Sequence, residues 1–102
     1  MAKLITLYHA PADPQAFDEY YFSRHVPLAK KIPGLRSYEV SRGPIATPSG
    51  MSQYHLVGLL EFETFAAVQE ALGSPEGQAA GADLANFADG GVDLLVFDAR
   101  EV

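Results

Sequence analysis

"SQYHLVGLLEF", residues 52–62, is the longest stretch that reads as a strand, and the segments on either side of it set the topology. Its centre is apolar enough to be buried on both faces, as a central strand requires. Gly58 leaves a gap in that row of side chains, which suits close approach by a neighbouring element or a ligand.

Downstream, "TFAAVQEALG" (64–73) predicts a short helix opened by Thr64 and ended by Gly73. "SPEG" (74–77) starts a second helix: Ser74 caps it, Pro75 takes the first helical position and Glu76 complements the dipole. Its body offers Ala79, Ala82, Leu84, Ala85 and Phe87 for packing. Asp83, Asn86 and Asp89 read as an acidic stripe facing water. Gly90-Gly91 stops the helix, and "VDLLVFD" (92–98) is the last strand.

Upstream, "GPIATPSGM" (43–51) is a loop, and "LRSYEVSR" (35–42) alternates, with Tyr38 and Val40 on one face. "KLITLYH" (3–9) is the first strand. Asp13 and Pro14 open the first helix, along which Phe17, Tyr20, Tyr21, Arg24 and Leu28 form one inward stripe. Pro27 removes a backbone donor and disfavours helical dihedrals at Val26, so a break is predicted there. Gly34 ends the segment.

The order β-α-β-β-α-β defines an α+β, ferredoxin-like domain over residues 1–102, with four antiparallel strands and helices on one face. Phe17, Leu28, Leu59, Phe62 and Val96 are its expected core residues. The other face of the sheet is too apolar for water, so it is expected to pack against a second copy as a homodimer.

Composition narrows the function. The chain has 7 Lys and Arg against 13 Asp and Glu, a net charge of −6. Nucleic acid needs clustered cations, so it is not an expected partner. No apolar run approaches the ~20 residues of a membrane span, and the N-terminus does not read as a signal sequence. With no cysteine there is no thiolate nucleophile, disulfide or Cys-based zinc site, which suits a cytoplasmic location.

"AFDEYYFSRHVPLAKKIPGL", the following "YEV" and then "SPEGQAAGADLANFAD" together resemble the EthD family, named for ethyl tert-butyl ether degradation. His25, Pro27, Leu28, Pro33 and Gly34 fall at the family's spacing, and the resemblance spans about residues 3–98. "FETF" (62–65) departs from the family's Phe-Asp-Ser-like turn and affects only the cap of the next helix. The resemblance implies a dimeric α+β barrel, in which two ferredoxin-like sheets close face to face. Bacterial members accompany ether-degradation systems, and fungal relatives are linked to dehydration or decarboxylation of aromatic polyketides. Muconolactone isomerases, cofactor-independent monooxygenases and haem-degrading enzymes share the wider superfamily, so fold alone does not fix a reaction.

His25 is the leading candidate for chemistry, because an imidazole titrates near neutrality and its environment decides its role. At the predicted break it either caps freed carbonyls or points into a pocket. Tyr21 lies one turn earlier on the same face and joins it as a candidate catalytic residue. His9, at the end of the first strand, reads as a loop histidine or the lining of a pocket mouth; His55 reads as a paired sheet histidine. Tyr8, Tyr38 and Tyr54 lie on strands, and one hydroxyl is expected in the cavity; His9, Tyr8 and Tyr54 are the candidate ligand contacts.

No HxxxH or HExxH pair, calcium loop, phosphate loop, dinucleotide fingerprint or G-x-S-x-G occurs, so no metal or cofactor is expected. Haem ligation by His25 is the alternative left open. The sequence therefore points to a protein that binds a small, mostly apolar organic molecule. It is either a cofactor-independent enzyme in which His25 moves a proton, or a non-catalytic accessory or carrier protein.

Overall fold

A computed structural model describes all 102 residues. Strand β1 (Ala2–His9) alternates strictly, burying Ala2, Leu4, Thr6 and Tyr8 on one face. Helix α1 (Pro14–Tyr20) begins where Asp13 accepts a hydrogen bond from the Ala16 amide at 3.1 Å.

The predicted break at Pro27 does not occur. Tyr21–His25 form one π-turn, which runs directly into α2 (Val26–Ala29). Val26 keeps helical dihedrals (φ −55°, ψ −47°) and donates to the Tyr21 carbonyl, five residues back. The wider turn absorbs the missing proline donor without ending the helix. It also changes the buried stripe: Phe17, Tyr21, His25 and Ala29 point inward at constant four-residue spacing. Arg24 is exposed and Leu28 half-buried, contrary to the expectation from an ordinary α-helical period.

After a turn at Gly34 (φ 81°) come β2 (Ser37–Val40), then a small hairpin of β3 (Ala46–Thr47) and β4 (Gly50–Met51) inside the expected loop. β5 (Tyr54–Phe62) follows, then α3 (Phe65–Gly73) and α4 (Pro75–Asp83), a 3-10 turn at Leu84–Asn86, and β6 (Val92–Asp98). Thr64 and Ser74 cap α3 and α4 through the amides of Ala67 and Gly77, both at 3.0 Å. A Cβ at Gly77 would lie 2.0 Å from the Ala71 carbonyl oxygen, so the tight turn between these helices requires glycine there.

The four main strands form an antiparallel sheet in the order β2-β5-β1-β6, the expected ferredoxin-like arrangement. One face carries the helices. One cluster there contains Leu4, Ile32, Leu60, Phe62 and Val68; the other contains Tyr8, Phe17, Tyr21, Leu56 and Phe87. Phe17 and Phe62 are buried as expected, whereas Val96, on the edge strand, is half-buried. Leu59 is half-buried as well and belongs to the opposite, helix-free face with Ile5, Leu7 and Val57. Leu95 and Phe97 continue that face and are 51% and 44% exposed.

Candidate active site

The π-turn presents Tyr21 and His25 to the sheet, and α4 presents Asp83 to them. The Ser74 cap sets the phase of α4: Gly77, Ala80 and Asp83 fall on its buried face, with Phe87 beyond the helix. Ala79, Ala82 and Ala85, expected to pack, are exposed. Asp83, expected to face water, is buried. Its Oδ2 lies 3.0 Å from His25 Nδ1, and its Oδ1 accepts from the Tyr20 hydroxyl at 2.6 Å and the Asn86 amide at 2.9 Å.

Burial alone would raise the Asp83 pKa, but the hydrogen bonds from Tyr20, Asn86 and His25 outweigh it and hold the carboxyl below its ordinary value. Burial lowers the His25 pKa, and Asp83 offsets this only in part. Neutral imidazole beside ionised carboxylate is therefore the resting form. The carboxylate accepts from Nδ1–H, which leaves the Nε2 lone pair unprotonated. Nε2 has no hydrogen bond within the chain and is not sealed off, since Thr6 Oγ1 is the only fully buried side-chain polar atom without a partner.

His25 packs against Phe87 (ring centroids 4.7 Å apart) and Tyr21 (5.4 Å), and it lines a cavity between helices and sheet. Thr6 and Tyr8 from β1, Tyr38 from β2, and Leu4, Ala29, Ile32 and Leu60 form much of the wall. Exposed Leu72 and Leu94 lie at its rim. The volume is about 60 Å³, room for several waters or the head of a small molecule and too little for a porphyrin beside His25. Tyr21 and Tyr38 join their hydroxyls at 2.5 Å. Burial first, and mutual repulsion between Tyr8, Tyr21 and Tyr38 second, raises the Tyr8 and Tyr21 pKa values; burial also raises that of Tyr38. All three remain hydroxyls.

The structure thus gathers His25, Tyr21 and Tyr8 with Tyr38, which sequence parity left undecided. It places His9 and Tyr54 elsewhere. The β1 bulge between Tyr8 and His9 precedes a His9 ring that bonds Asp93 at 2.9 Å and lies beside Tyr54. Tyr54 and His55 line a separate, open groove of about 890 Å³ under the β3-β4 hairpin. There His55 is paired with Asp18 at 2.8 Å. The small cavity is the stronger candidate despite its size, because His25, whose Nδ1 is held by the buried Asp83 carboxylate, lines it. Chemically it offers a base, an orienting carboxylate and several hydroxyls in a mostly apolar wall. No three His, Cys, Asp or Glu side chains converge as a metal-ligand set.

Fold and site together define a small ferredoxin-like protein with a buried carboxylate–imidazole pair under its helices. The model of the EthD domain matches residues 9–91, and the chain belongs to the EthD family. It is 43% identical, over its whole length and 98% of the relative's, to an uncharacterised 11.0 kDa protein of the thcB-thcC intergenic region of Rhodococcus erythropolis. A crystal structure of an EthD family protein from Bacillus halodurans superposes with a TM-score of 0.89 at 40% identity, covering 98% of this chain and 99% of that one. More distant chains share the fold. SnoaB, a cofactor-independent oxygenase from Streptomyces nogalater, gives a TM-score of 0.67 at 16% identity over 99% and 94% of the two chains. A dimeric ferredoxin-like protein from Thermobifida fusca gives 0.68 at 15% over 96% and 90%.

Proposed function

We propose that this protein is a homodimeric, cofactor-independent enzyme that moves a proton on a small, mostly apolar organic molecule held between helices and sheet. The carrying observation is the setting of His25: Asp83 holds Nδ1, Nε2 has no partner within the chain, and the residue lines the cavity. In this reading Nε2 takes a proton from an acidic C–H or O–H of the ligand. The resulting imidazolium is stabilised by the adjacent Asp83 carboxylate, and Tyr38 or Tyr8 donates to the oxygen that gains charge. Tyr21 contributes through its hydrogen bond to Tyr38. The cofactor-independent oxygenase activity of SnoaB, which shares the fold, is compatible with a first step of this kind, deprotonation by a protein side chain.

Hydrogen–deuterium exchange into a panel of 1,3-diketones in heavy water tests the reading without knowledge of the natural substrate. The wild-type protein is expected to accelerate exchange, and His25→Gln to lose about 10²–10⁴-fold, the usual contribution of a positioned base. Asp83→Asn is expected to reduce the rate as well, by releasing the tautomer. If His25→Gln exchanges as fast as wild type, the base assignment fails. Binding of the panel without exchange by any variant would establish a carrier instead.

A further inference from the structure

Asp83 brings only one of its two oxygens to His25, and the other carries two bonds that the proton transfer described above does not use. Oδ2 lies 3.0 Å from His25 Nδ1, while Oδ1 accepts from the Tyr20 hydroxyl at 2.6 Å and from the Asn86 amide at 2.9 Å. The Asp83 side chain is only 7% exposed, so Oδ1 relies on these two donors rather than on bulk water. The Tyr20 bond is short, as expected of a hydroxyl donating to an ionised carboxylate. Burial raises the Asp83 pKa, and Tyr20 is the strongest of the hydrogen bonds that bring it down, followed by Asn86 and His25.

The chain is built to bring these donors together. Tyr20 and His25 are five residues apart, and on a continuous α-helix they would diverge by about 140°. The π-turn between them, whose hydrogen bonds run five residues back, reduces that divergence, and both side chains reach the same carboxylate. Phe87 supports both rings, with centroids 5.4 Å from Tyr20 and 4.7 Å from His25. At the end of α4, the 3-10 turn at Leu84–Asn86 brings Asn86 back to Asp83, three residues earlier. Neither Tyr20 nor Asn86 lines the His25 cavity; both border a separate open groove of about 410 Å³. Whatever they contribute to chemistry in the cavity therefore passes through Asp83.

We infer that Tyr20 and Asn86 are positioning residues: by occupying Asp83 Oδ1 together, they keep Oδ2 on His25 Nδ1 and so fix the ring with its Nε2 lone pair free. A carboxylate stripped of both donors in this buried place has two responses. It turns toward water, or it takes a proton from solvent and donates to Nδ1. Each leaves Nδ1–H without an acceptor, and the imidazole proton moves to Nε2, which then cannot act as a base. The consequence for catalysis rests on reading His25 as the base; the consequence for the tautomer does not.

Nitrogen NMR of the histidine side chains, at a pH above the His25 midpoint, reads the tautomer directly and needs no ligand. Wild-type protein is expected to hold His25 in the Nδ1–H form. Tyr20→Phe keeps the ring against Phe87 and removes only the hydroxyl; Asn86→Ala removes the second donor. The double variant should replace the single Nδ1–H form by a mixture with Nε2–H. In diketone exchange each single variant should lower kcat by about tenfold, the worth of one hydrogen bond, with KM unchanged because neither residue touches the ligand. The proposal is overturned if the double variant keeps Nδ1–H as fully as wild type, or if wild type itself shows Nε2–H. A lower melting temperature with the tautomer unchanged would also overturn it, as the sign of bonds that only tie α4 to the first helix. Should the double variant fail to fold, the presence or absence of a partial shift in Tyr20→Phe carries the same decision. If wild type exchanges no diketone, the proton-transfer reading falls, and the tautomer of the variants still decides for or against the positioning.

Discussion

At the scale of single residues, His25 and Asp83 are informative because each is held in the form the other needs. Burial disfavours the imidazolium, so the folded protein resists a proton that the unfolded chain accepts near pH 6.5. The contribution of His25 to stability is therefore complete above about pH 6.5 and declines as pH falls from there toward its lower folded pKa. An NMR titration of the ring should give a midpoint below 6.5, and His25→Gln should flatten the stability slope on the acid side of that value. A midpoint above 6.5 would mean that the carboxylate dominates and the resting form is imidazolium, which cannot act as a base. This pair was only half legible in the sequence. His25 announced itself through its place beside Pro27, but an aspartate among alanines in a helix reads as solvated, and its partner lies 58 residues away.

Among the elements, the first helix shows where local reading succeeds and where packing takes over. Asp13, Thr64 and Ser74 were recognisable caps because capping depends on residues within three positions of each other. The π-turn was not recognisable. It depends on the long segment staying packed on the sheet through Pro27, and that tertiary demand outweighs the local preference of Val26. The consequence is a stripe through Phe17, Tyr21, His25 and Ala29 in place of one ending at Leu28. Phe17 anchors it, edge-on to Tyr8 and Phe87 at centroid separations of 5.3 and 5.2 Å. Phe17→Ala is expected to cost about 3–5 kcal/mol in denaturant unfolding, whereas Leu28→Ala, only half-buried, should cost distinctly less. Equal losses would restore the plain α-helical stripe.

For the whole molecule, the sheet has been given only one cover. Across its helix-free face, Ile5, Leu7, Val57 and Leu59 are half-buried by their own neighbours, and Leu95 and Phe97 stand more open. Polar pairs border this apolar centre, Lys3 with Glu61 on one side and His9 with Asp93 at the other end. An apolar middle with a polar rim is the anatomy of a stable protein interface. A homodimer formed through it should bury more than ~1,200 Å² in total. Ultracentrifugation at micromolar concentration should therefore find a dimer whose melting temperature rises with protein concentration. Leu95→Lys places an unpaired charge against the partner's apolar face, so it should yield a folded monomer that melts lower and independently of concentration. His25 and Thr6 lie on the opposite side of the same sheet, so this variant leaves every cavity contact within the chain in place. A wild-type protein that sediments as a monomer would mean that water tolerates this face, and the expectation of a second copy would fall with it.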